Sequence, residues 1–184
     1  MDKVLNFSHK VLENIITKDD ITLDMTLGAG NDSRFLAKIS KKVYAFDIQE
    51  KAIEIAKGNL KEFDNIEYIL DGHENVLKHI PAKVKGIIFN LGYLPTGDKS
   101  ITTMTETTIR AIKDSLTLLL KKGIMAICLY PGHPEGKKES IEVLEFVKGL
   151  NQKEFEVLKY EFINQINEPP FLICIEKIWE LFWE

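Results

Sequence analysis

The chain has 184 residues, of which 45% are hydrophobic and 28% are charged, enough for a single domain, 1–184, with a sizeable core. Its formal net charge of −4 gives no global basic field, which argues against a non-specific nucleic-acid binder but leaves room for a local basic patch. The N-terminus lacks a signal-peptide layout, no run of about 18 apolar residues occurs, and Cys128 and Cys174 form no CxxC pair. We therefore expect a cytoplasmic protein with two buried, reduced thiols and no membrane partner.

Helical and extended patterns alternate along the sequence. Helices are predicted from a cap at Ser8, from about 32, and over 49–62, 73–79, 105–121 and 137–149. Strands are predicted at 21–25, 43–47, 66–70, 86–90, 124–130, 155–163 and 171–178. Gly123 fits the C-terminal stop of the fifth helix.

The order of these elements predicts an α/β fold. Regular β-α alternation is typical of a parallel sheet with helices on both faces. The closing pair of strands has no helix between its members, and this favours an antiparallel edge strand. We expect a Rossmann-like, seven-stranded, mostly parallel sheet with an antiparallel edge strand, which suits the class I methyltransferases.

A glycine-containing stretch, 24–33, joins the first strand to the next helix and is typical of a nucleotide site. The dinucleotide pattern G-x-G-x-x-G matches Gly28 and Gly30 but has Ser33 at its third glycine. Asp32 would also place a negative charge beside a pyrophosphate, whereas it can accept hydrogen bonds from an ammonium. The stretch therefore favours S-adenosyl-L-methionine over NAD, although each residue alone could be a turn or a helix cap.

Two further strand ends carry candidate cofactor contacts. Asp47 ends the second strand, where a carboxylate can accept both ribose hydroxyls, and Gln49 could reach the same ribose or the adenine edge. Asp71-Gly72-His73 follows the third strand, where an adenine amino group is usually read. The candidate cofactor-binding residues are Gly28, Ala29, Gly30, Asn31, Asp32, Asp47, Gln49, Gly72, His73 and Asn90.

The loop after the fourth strand carries the candidate acceptor site. Asn90 ends a strand that should lie beside the first one, at the switch-point crevice. The spacing of Asn90 and Tyr93 resembles the Asn-Pro-Pro-Tyr motif of amino-group methyltransferases, in which an Asn oxygen accepts hydrogen bonds from an amine and an aromatic ring stacks on the base. Leu91 and Gly92 replace the two prolines. Asn90 could instead be a turn residue, Tyr93 a core aromatic, and Asp98 part of a solvated loop.

The loop after the fifth strand contains His133, a candidate base because histidine titrates near neutral pH. It lies between two prolines and could equally be structural. The segment Asn167–Pro170 lies between the last two strands and could border the same mouth. His9 and His79 have the pattern of surface or packing residues, and we assign them no role. No cluster with metal-ligand spacing occurs.

These motifs together resemble the rRNA methylase family of class I S-adenosylmethionine-dependent methyltransferases. The matching stretches are 24–33, Phe46–Gln49, Asp71–Glu74, Phe89–Pro95, Gly97–Thr103, Tyr130–Gly136 and Pro169–Pro170. Ala29 departs from the family, where a polar residue such as Asn is expected. The ending Ile178–Trp183 is also unlike the family and would suit a packing or interface tail.

The resemblance implies methyl transfer to the aminomethyl group of a modified wobble uridine, 5-aminomethyl-2-thiouridine, in tRNA. In that reading Asn90 aims the amine, Tyr93 packs near the uridine, and Asp98 or His133 helps to remove a proton. The partner would be the tRNA anticodon stem-loop, with lysines 99, 121–122 and 137–138 near phosphates, and we also predict a homodimer. The alternatives are methylation of rRNA or a small amine, an NAD-linked oxidoreductase, and a non-catalytic RNA-binding module.

Overall fold

Helices and strands alternate along the chain until the last two strands, which follow each other directly. The computed structural model describes residues 1–91 and 105–179. The elements in chain order are α1 (Val4–Glu13), β1 (Ile21–Asp24), α2 (Asn31–Ile39), β2 (Lys42–Asp47), α3 (Glu50–Asn59), β3 (Ile66–Leu70), a short 3-10 turn (His73–Asn75), α4 (Val76–His79), β4 (Val84–Asn90), α5 (Thr105–Leu118), β5 (Leu119–Leu129), α6 (Pro134–Lys148), β6 (Phe155–Tyr160) and β7 (Phe171–Lys177). No helix within these two ranges is long and apolar enough to cross a bilayer.

The seven strands form one sheet in the order β3-β2-β1-β4-β5-β7-β6. The five strands β1 to β5 pair in parallel, whereas β7 runs antiparallel to both β5 and β6. The predicted fold class is thus confirmed. The antiparallel strand is β7, which lies one place in from the edge of the sheet, and β6 is the edge strand. Because the strand order reverses between β1 and β4, the carboxyl ends of these strands border the crevice where α/β sheets hold ligands.

Two hydrophobic cores cover the two faces of the sheet. Strand β4 shows the division, because Ile87 and Phe89 belong to one core and Ile88 belongs to the other. Helices α1, α2 and α3 pack on the face of Ile88, and α4, α5 and α6 pack on the opposite face. Burial on both faces explains why the central strands are continuous apolar runs rather than alternating ones.

Several boundary predictions were wrong, most clearly at α1 and at the junction of α5 with β5. Ser8 does not cap α1 but lies inside it, where its buried hydroxyl donates to the Leu5 carbonyl at 2.7 Å. The helix predicted over 105–121 ends at Leu118, because Leu119 pairs with Val84 and starts β5. Gly123 therefore lies inside β5 rather than ending a helix. The pairing register of β4 with β5 shifts between Val84 and Gly86.

The two cysteines are buried and free, as predicted. Cys128 lies on β5 and Cys174 lies on the neighbouring strand β7. Burial raises the pKa of each thiol to about 12, so both stay protonated and unreactive at neutral pH.

Candidate active site

The turn between β1 and α2 has the geometry that the glycines predicted. Gly28 and Gly30 have φ of 50° and 88°, in the left-handed region that disfavours side chains. Gly30 is the N-cap of α2, and a Cβ there would lie 2.6 Å from Cδ1 of Leu60. The turn therefore presents bare backbone at the start of α2.

Gly30→Ala is expected to lower the free energy of unfolding by about 1–3 kcal/mol, because it combines a left-handed φ with a steric clash. Gly58 is the matched control: it lies in α3, and a Cβ there would meet nothing within 4 Å. Gly58→Ala should raise stability by up to about 1 kcal/mol. Urea denaturation measures both, and equal changes in the two variants would contradict this account of the turn.

Asp47 is held at the end of β2 by two backbone amides. The Gly28 N–H donates to Oδ2 and the Gln49 N–H donates to Oδ1, each at 2.9 Å. Each oxygen keeps a lone pair, so the carboxylate can still accept hydrogen bonds from two neighbouring hydroxyls, as a ribose offers. Gln49 is the N-cap of α3 and its side chain makes no cap bond. The carbonyl of Ala29 accepts from Asn59 Nδ2 at 3.0 Å, which ties the glycine turn to the end of α3.

Asp71, after β3, is occupied by its own segment. Its Oδ1 accepts from the Gly72 N–H at 2.7 Å and from Asn75 Nδ2 at 2.9 Å, while Oδ2 accepts from His79 Nε2 at 2.7 Å. The hydrogen bond from His79 is the main reason that the pKa of Asp71 is lowered. His79 is therefore more than the surface or packing residue that the sequence indicated, because it anchors the turn after β3.

His73 links the turn after β3 to the glycine turn. Its Nδ1 lies 3.1 Å from the Met25 carbonyl, which only accepts, so Nδ1 carries the proton. Burial lowers the pKa of His73, and the ring is therefore neutral at pH 7 with its lone pair on Nε2. A neutral imidazole with a free acceptor nitrogen suits an adenine amino group.

Asp24 is a fully buried carboxyl at the end of β1. Ser33 Oγ donates to its Oδ2 at 2.6 Å, and the Thr26 N–H donates to its Oδ1 at 3.1 Å. Ser33 occupies the position of the third glycine of a dinucleotide site, and its hydroxyl is engaged in a hydrogen bond inside the protein. Burial, followed by the charge of Asp32, raises the pKa of Asp24 to about 7.

This raised pKa predicts that Asp24 makes stability fall as pH rises. Between its ordinary value of 3.8 and about 7, the folded chain binds more protons than the unfolded chain, so each rise in pH favours unfolding. The loss approaches a maximum on the order of 4 kcal/mol above pH 7. Asp24→Asn should remove this slope, because the amide does not titrate. Its Oδ1 can accept from the Thr26 N–H, and its Nδ2 would donate to Ser33 Oγ instead of accepting from it. Urea denaturation at pH 5 and pH 8 checks it, and an unchanged slope would refute the assignment.

Asn90 joins the ends of three strands. Its backbone N–H donates to Thr26 Oγ1 at 2.8 Å, and its Nδ2 donates to Asp32 Oδ2 at 3.3 Å. Its side chain also hydrogen-bonds Tyr130, which follows β5 and whose pKa is raised chiefly by burial. Because Asn90 Nδ2 is turned toward Asp32, Oδ1 lies on the other side of the amide, where it can accept a hydrogen bond.

His9 is a site residue that the sequence reasoning missed. Its Nε2 lies 2.6 Å from Asp32 Oδ1, and its ring stacks on Phe35 with centroids 4.0 Å apart. The contact brings helix α1 to the first turn of α2, across 23 residues of sequence. No local sequence motif predicts this contact, because the sequence of an amphipathic helix does not show which distant residue its histidine contacts.

His133 is the N-cap of α6, and its Nδ1 accepts from the Gly136 N–H at 3.1 Å. That lone pair is therefore already engaged, and a role as base stays a prediction. The loop between β6 and β7 lies beside it: the Glu168 carbonyl is 3.8 Å from the place of a Cβ on Gly132. Tyr93 and Asp98 lie outside the described residues.

The combined features fit a nucleoside with a cationic tail. Gly28 and Gly30 allow the left-handed backbone of the turn, Asp47 offers a carboxylate, and Asn31 and Asp32 begin α2. The carboxylate of Asp32 at this helix start suits an ammonium and opposes a phosphate. Within residues 1–91 and 105–179, no three His, Cys, Asp or Glu side chains are grouped to hold a metal ion.

A family model described as "Putative rRNA methylase" matches residues 43–176, which is most of the chain. The chain belongs to this family. As a member of the rRNA methylase family, it is 33% identical over 95% of its length to an Arabidopsis thaliana protein named tRNA (mnm(5)s(2)U34)-methyltransferase, chloroplastic, of which it covers 70%.

Solved structures agree with the family assignment. A "putative rRNA-methylase" from Clostridium thermocellum has 43% identity and a TM-score of 0.94, covering 97% of this chain and 99% of that one. A "putative methyltransferase" from Streptococcus mutans, solved in complex with SAH, has 42% identity and a TM-score of 0.91, with 96% and 99% covered. This member of the rRNA methylase family is thus an S-adenosylmethionine-dependent methyltransferase of the tRNA and rRNA type.

Proposed function

We propose that the protein methylates the aminomethyl nitrogen of 5-aminomethyl-2-thiouridine at the wobble position of tRNA. The observation that carries the proposal is the orientation of the Asn90 amide, whose Nδ2 donates to Asp32. This orientation suits an amine, because a site for an amine needs an oxygen that accepts from N–H and thereby aims the nitrogen lone pair. The name of the Arabidopsis relative, 33% identical over 95% of this chain, supports tRNA as the acceptor.

The chemistry asks little of the protein beyond positioning. When bound, S-adenosylmethionine would supply a methyl group on a sulfonium; the amine lone pair would form the new N–C bond as the S–C electron pair leaves with sulfur. An alkylamine is mostly protonated at pH 7 and an ammonium has no lone pair, so the site must hold the neutral amine. Asn90 Oδ1 accepts one N–H and thereby directs the lone pair, and much of the rate comes from this alignment.

The remaining catalytic roles are also part of the proposal. Tyr93 packs near the uridine ring, and Asp98 or His133 takes the proton that the amine releases. His133 could act only if it gives up its bond to the Gly136 N–H. Asp98 is therefore the preferred proton acceptor in this proposal.

We propose that the RNA approaches the edge of the sheet formed by the carboxyl ends of the parallel strands. Lys137 and Lys138 lie near the start of α6, which begins at that edge, and Lys137 pairs with Glu168. Lys121 and Lys122 lie at the start of β5, the opposite edge, so they are poor candidates for phosphate contacts near the site. The proposed partner is a tRNA anticodon stem-loop, whose bases are already splayed, and the proposed location is the cytoplasm. The homodimer stays a prediction, which a mass measured by analytical ultracentrifugation would test.

The test is transfer of a labelled methyl group from S-adenosylmethionine to RNA by the purified protein. The acceptors are tRNA carrying 5-aminomethyl-2-thiouridine, the same tRNA without the aminomethyl group, and ribosomal RNA. We expect label only in the first, with mass spectrometry of nucleosides locating it on the aminomethyl nitrogen. Label in ribosomal RNA alone would overturn the proposal in favour of the rRNA acceptor that the family's description names.

A further inference from the structure

Helix α1 brings an imidazole to a carboxylate of the glycine turn. His9 Nε2 lies 2.6 Å from Asp32 Oδ1, and the side chains are 28% and 8% exposed. A carboxylate oxygen accepts, so the proton of this short bond belongs to His9. The pair is therefore a charge-assisted contact on the border of the site, well shielded on the side of Asp32.

The same carboxylate also holds Asn90. Its second oxygen, Oδ2, accepts from Asn90 Nδ2 at 3.3 Å, across 58 residues of sequence. Because an ionised carboxylate cannot donate, it fixes which end of the Asn90 amide faces it. The NH2 group turns toward Asp32 and Oδ1 turns away, which is the orientation an incoming amine requires.

We propose that His9 is a positioning residue for methyl transfer: it locks Asp32, and Asp32 sets the orientation of the Asn90 amide. This rests on the proposed role of Asn90 in holding the amine. Without His9, Oδ1 of Asp32 loses its donor, close to the buried carboxyl of Asp24. An unpaired buried carboxylate turns toward another partner, and the Asn90 amide is then free to flip.

His9 has a second contact that must be separated from this one. Its ring stacks on Phe35 at 4.0 Å with an interplanar angle of 4°, so its loss could act through packing alone. His9→Phe keeps an aromatic ring on Phe35 and removes the donor. His9→Gln keeps an N–H donor at a similar reach and removes the ring. Comparing the two variants therefore separates the effect of the hydrogen bond from the effect of the ring stacking.

The decisive measurement is kcat at saturating S-adenosylmethionine and acceptor RNA. We expect His9→Phe to lower kcat by about 10-fold or more, because misplacement of a positioning group costs rate rather than binding. His9→Gln should stay within about threefold of the parent protein by the same argument. The inference is overturned if His9→Phe keeps the parent kcat, or if His9→Gln loses as much as His9→Phe while circular dichroism shows both folded.

A second readout needs no acceptor RNA and so separates this inference from the proposed function. The side-chain NH2 signals of Asn90 can be assigned in a ¹H–¹⁵N spectrum by their absence from the Asn90→Ala variant. They should shift in His9→Phe and return toward the parent positions in His9→Gln. Unchanged Asn90 signals in His9→Phe would refute the link through Asp32, whichever RNA proves to be the acceptor.

Discussion

Asn90→Ala is expected to lower kcat for methyl transfer by about 100-fold or more, while the Kd for S-adenosylhomocysteine changes by less than about threefold. The reason is that alanine removes the Oδ1 acceptor proposed to hold the amine but keeps the backbone N–H that donates to Thr26 Oγ1 at 2.8 Å. Single-turnover kinetics measures the first quantity and isothermal titration calorimetry the second. Equal losses in rate and in cofactor binding would show that Asn90 is only structural.

Two further variants sharpen this result. Asn151 donates from Nδ2 to the carboxylate of Glu154 at 2.7 Å, and this bond is exposed, so Asn151→Ala removes a side-chain hydrogen bond on the protein surface. It should leave kcat unchanged. Asn90→Asp keeps an acceptor oxygen but places a second carboxylate beside Asp32 Oδ2, so we expect it to be nearly as inactive as Asn90→Ala.

Asp47→Ala is expected to weaken S-adenosylhomocysteine binding by about 30-fold or more, since hydrogen bonds to a charged group contribute about 1.5–3 kcal/mol each. The substitution also leaves the N–H groups of Gly28 and Gln49 without their acceptor, which loosens the turn that faces the ligand. Asp47→Asn keeps one acceptor oxygen and should fall between the parent and alanine. Calorimetry with S-adenosylhomocysteine checks both variants.

The control for the loss of one negative charge is Asp64→Asn, because Asp64 is exposed in the loop before β3. It should bind S-adenosylhomocysteine like the parent protein. If Asp47→Ala folds and binds as tightly as the control, Asp47 does not contact the ligand.

The strand ends that form the site could be predicted from the sequence. Apolar runs placed β2 and β4 to within two residues, and parallel pairing puts their carboxyl ends at one edge, so Asp47 and Asn90 could be expected near the crevice. The boundary between α5 and β5 could not be read in this way, because its apolar residues suit both a helix and a buried strand. The pairing of Leu119 with Val84 decides it in the fold.

Contacts between distant segments were beyond the sequence for a different reason. His9 and Asp32 meet because α1 packs on the same face of the sheet as α2, and no periodicity within either helix reports that neighbour. The capping role of His133 was also hidden. A histidine just before the proline that starts a helix could act as a cap, as a base or as both, and the sequence does not show the 3.1 Å bond to the Gly136 N–H that makes it a cap.

The strand order has a consequence for how the protein folds. Strands β1 and β4 border the crevice, yet the bond from Asn90 to Thr26 between their ends closes a loop of 64 residues. Long-range pairings of this kind form slowly, since chain entropy must be lost before they give any contact energy. We therefore expect β1, β2 and β3 to pair before β4 joins them, so that refolding protein regains secondary structure before it regains a ligand site.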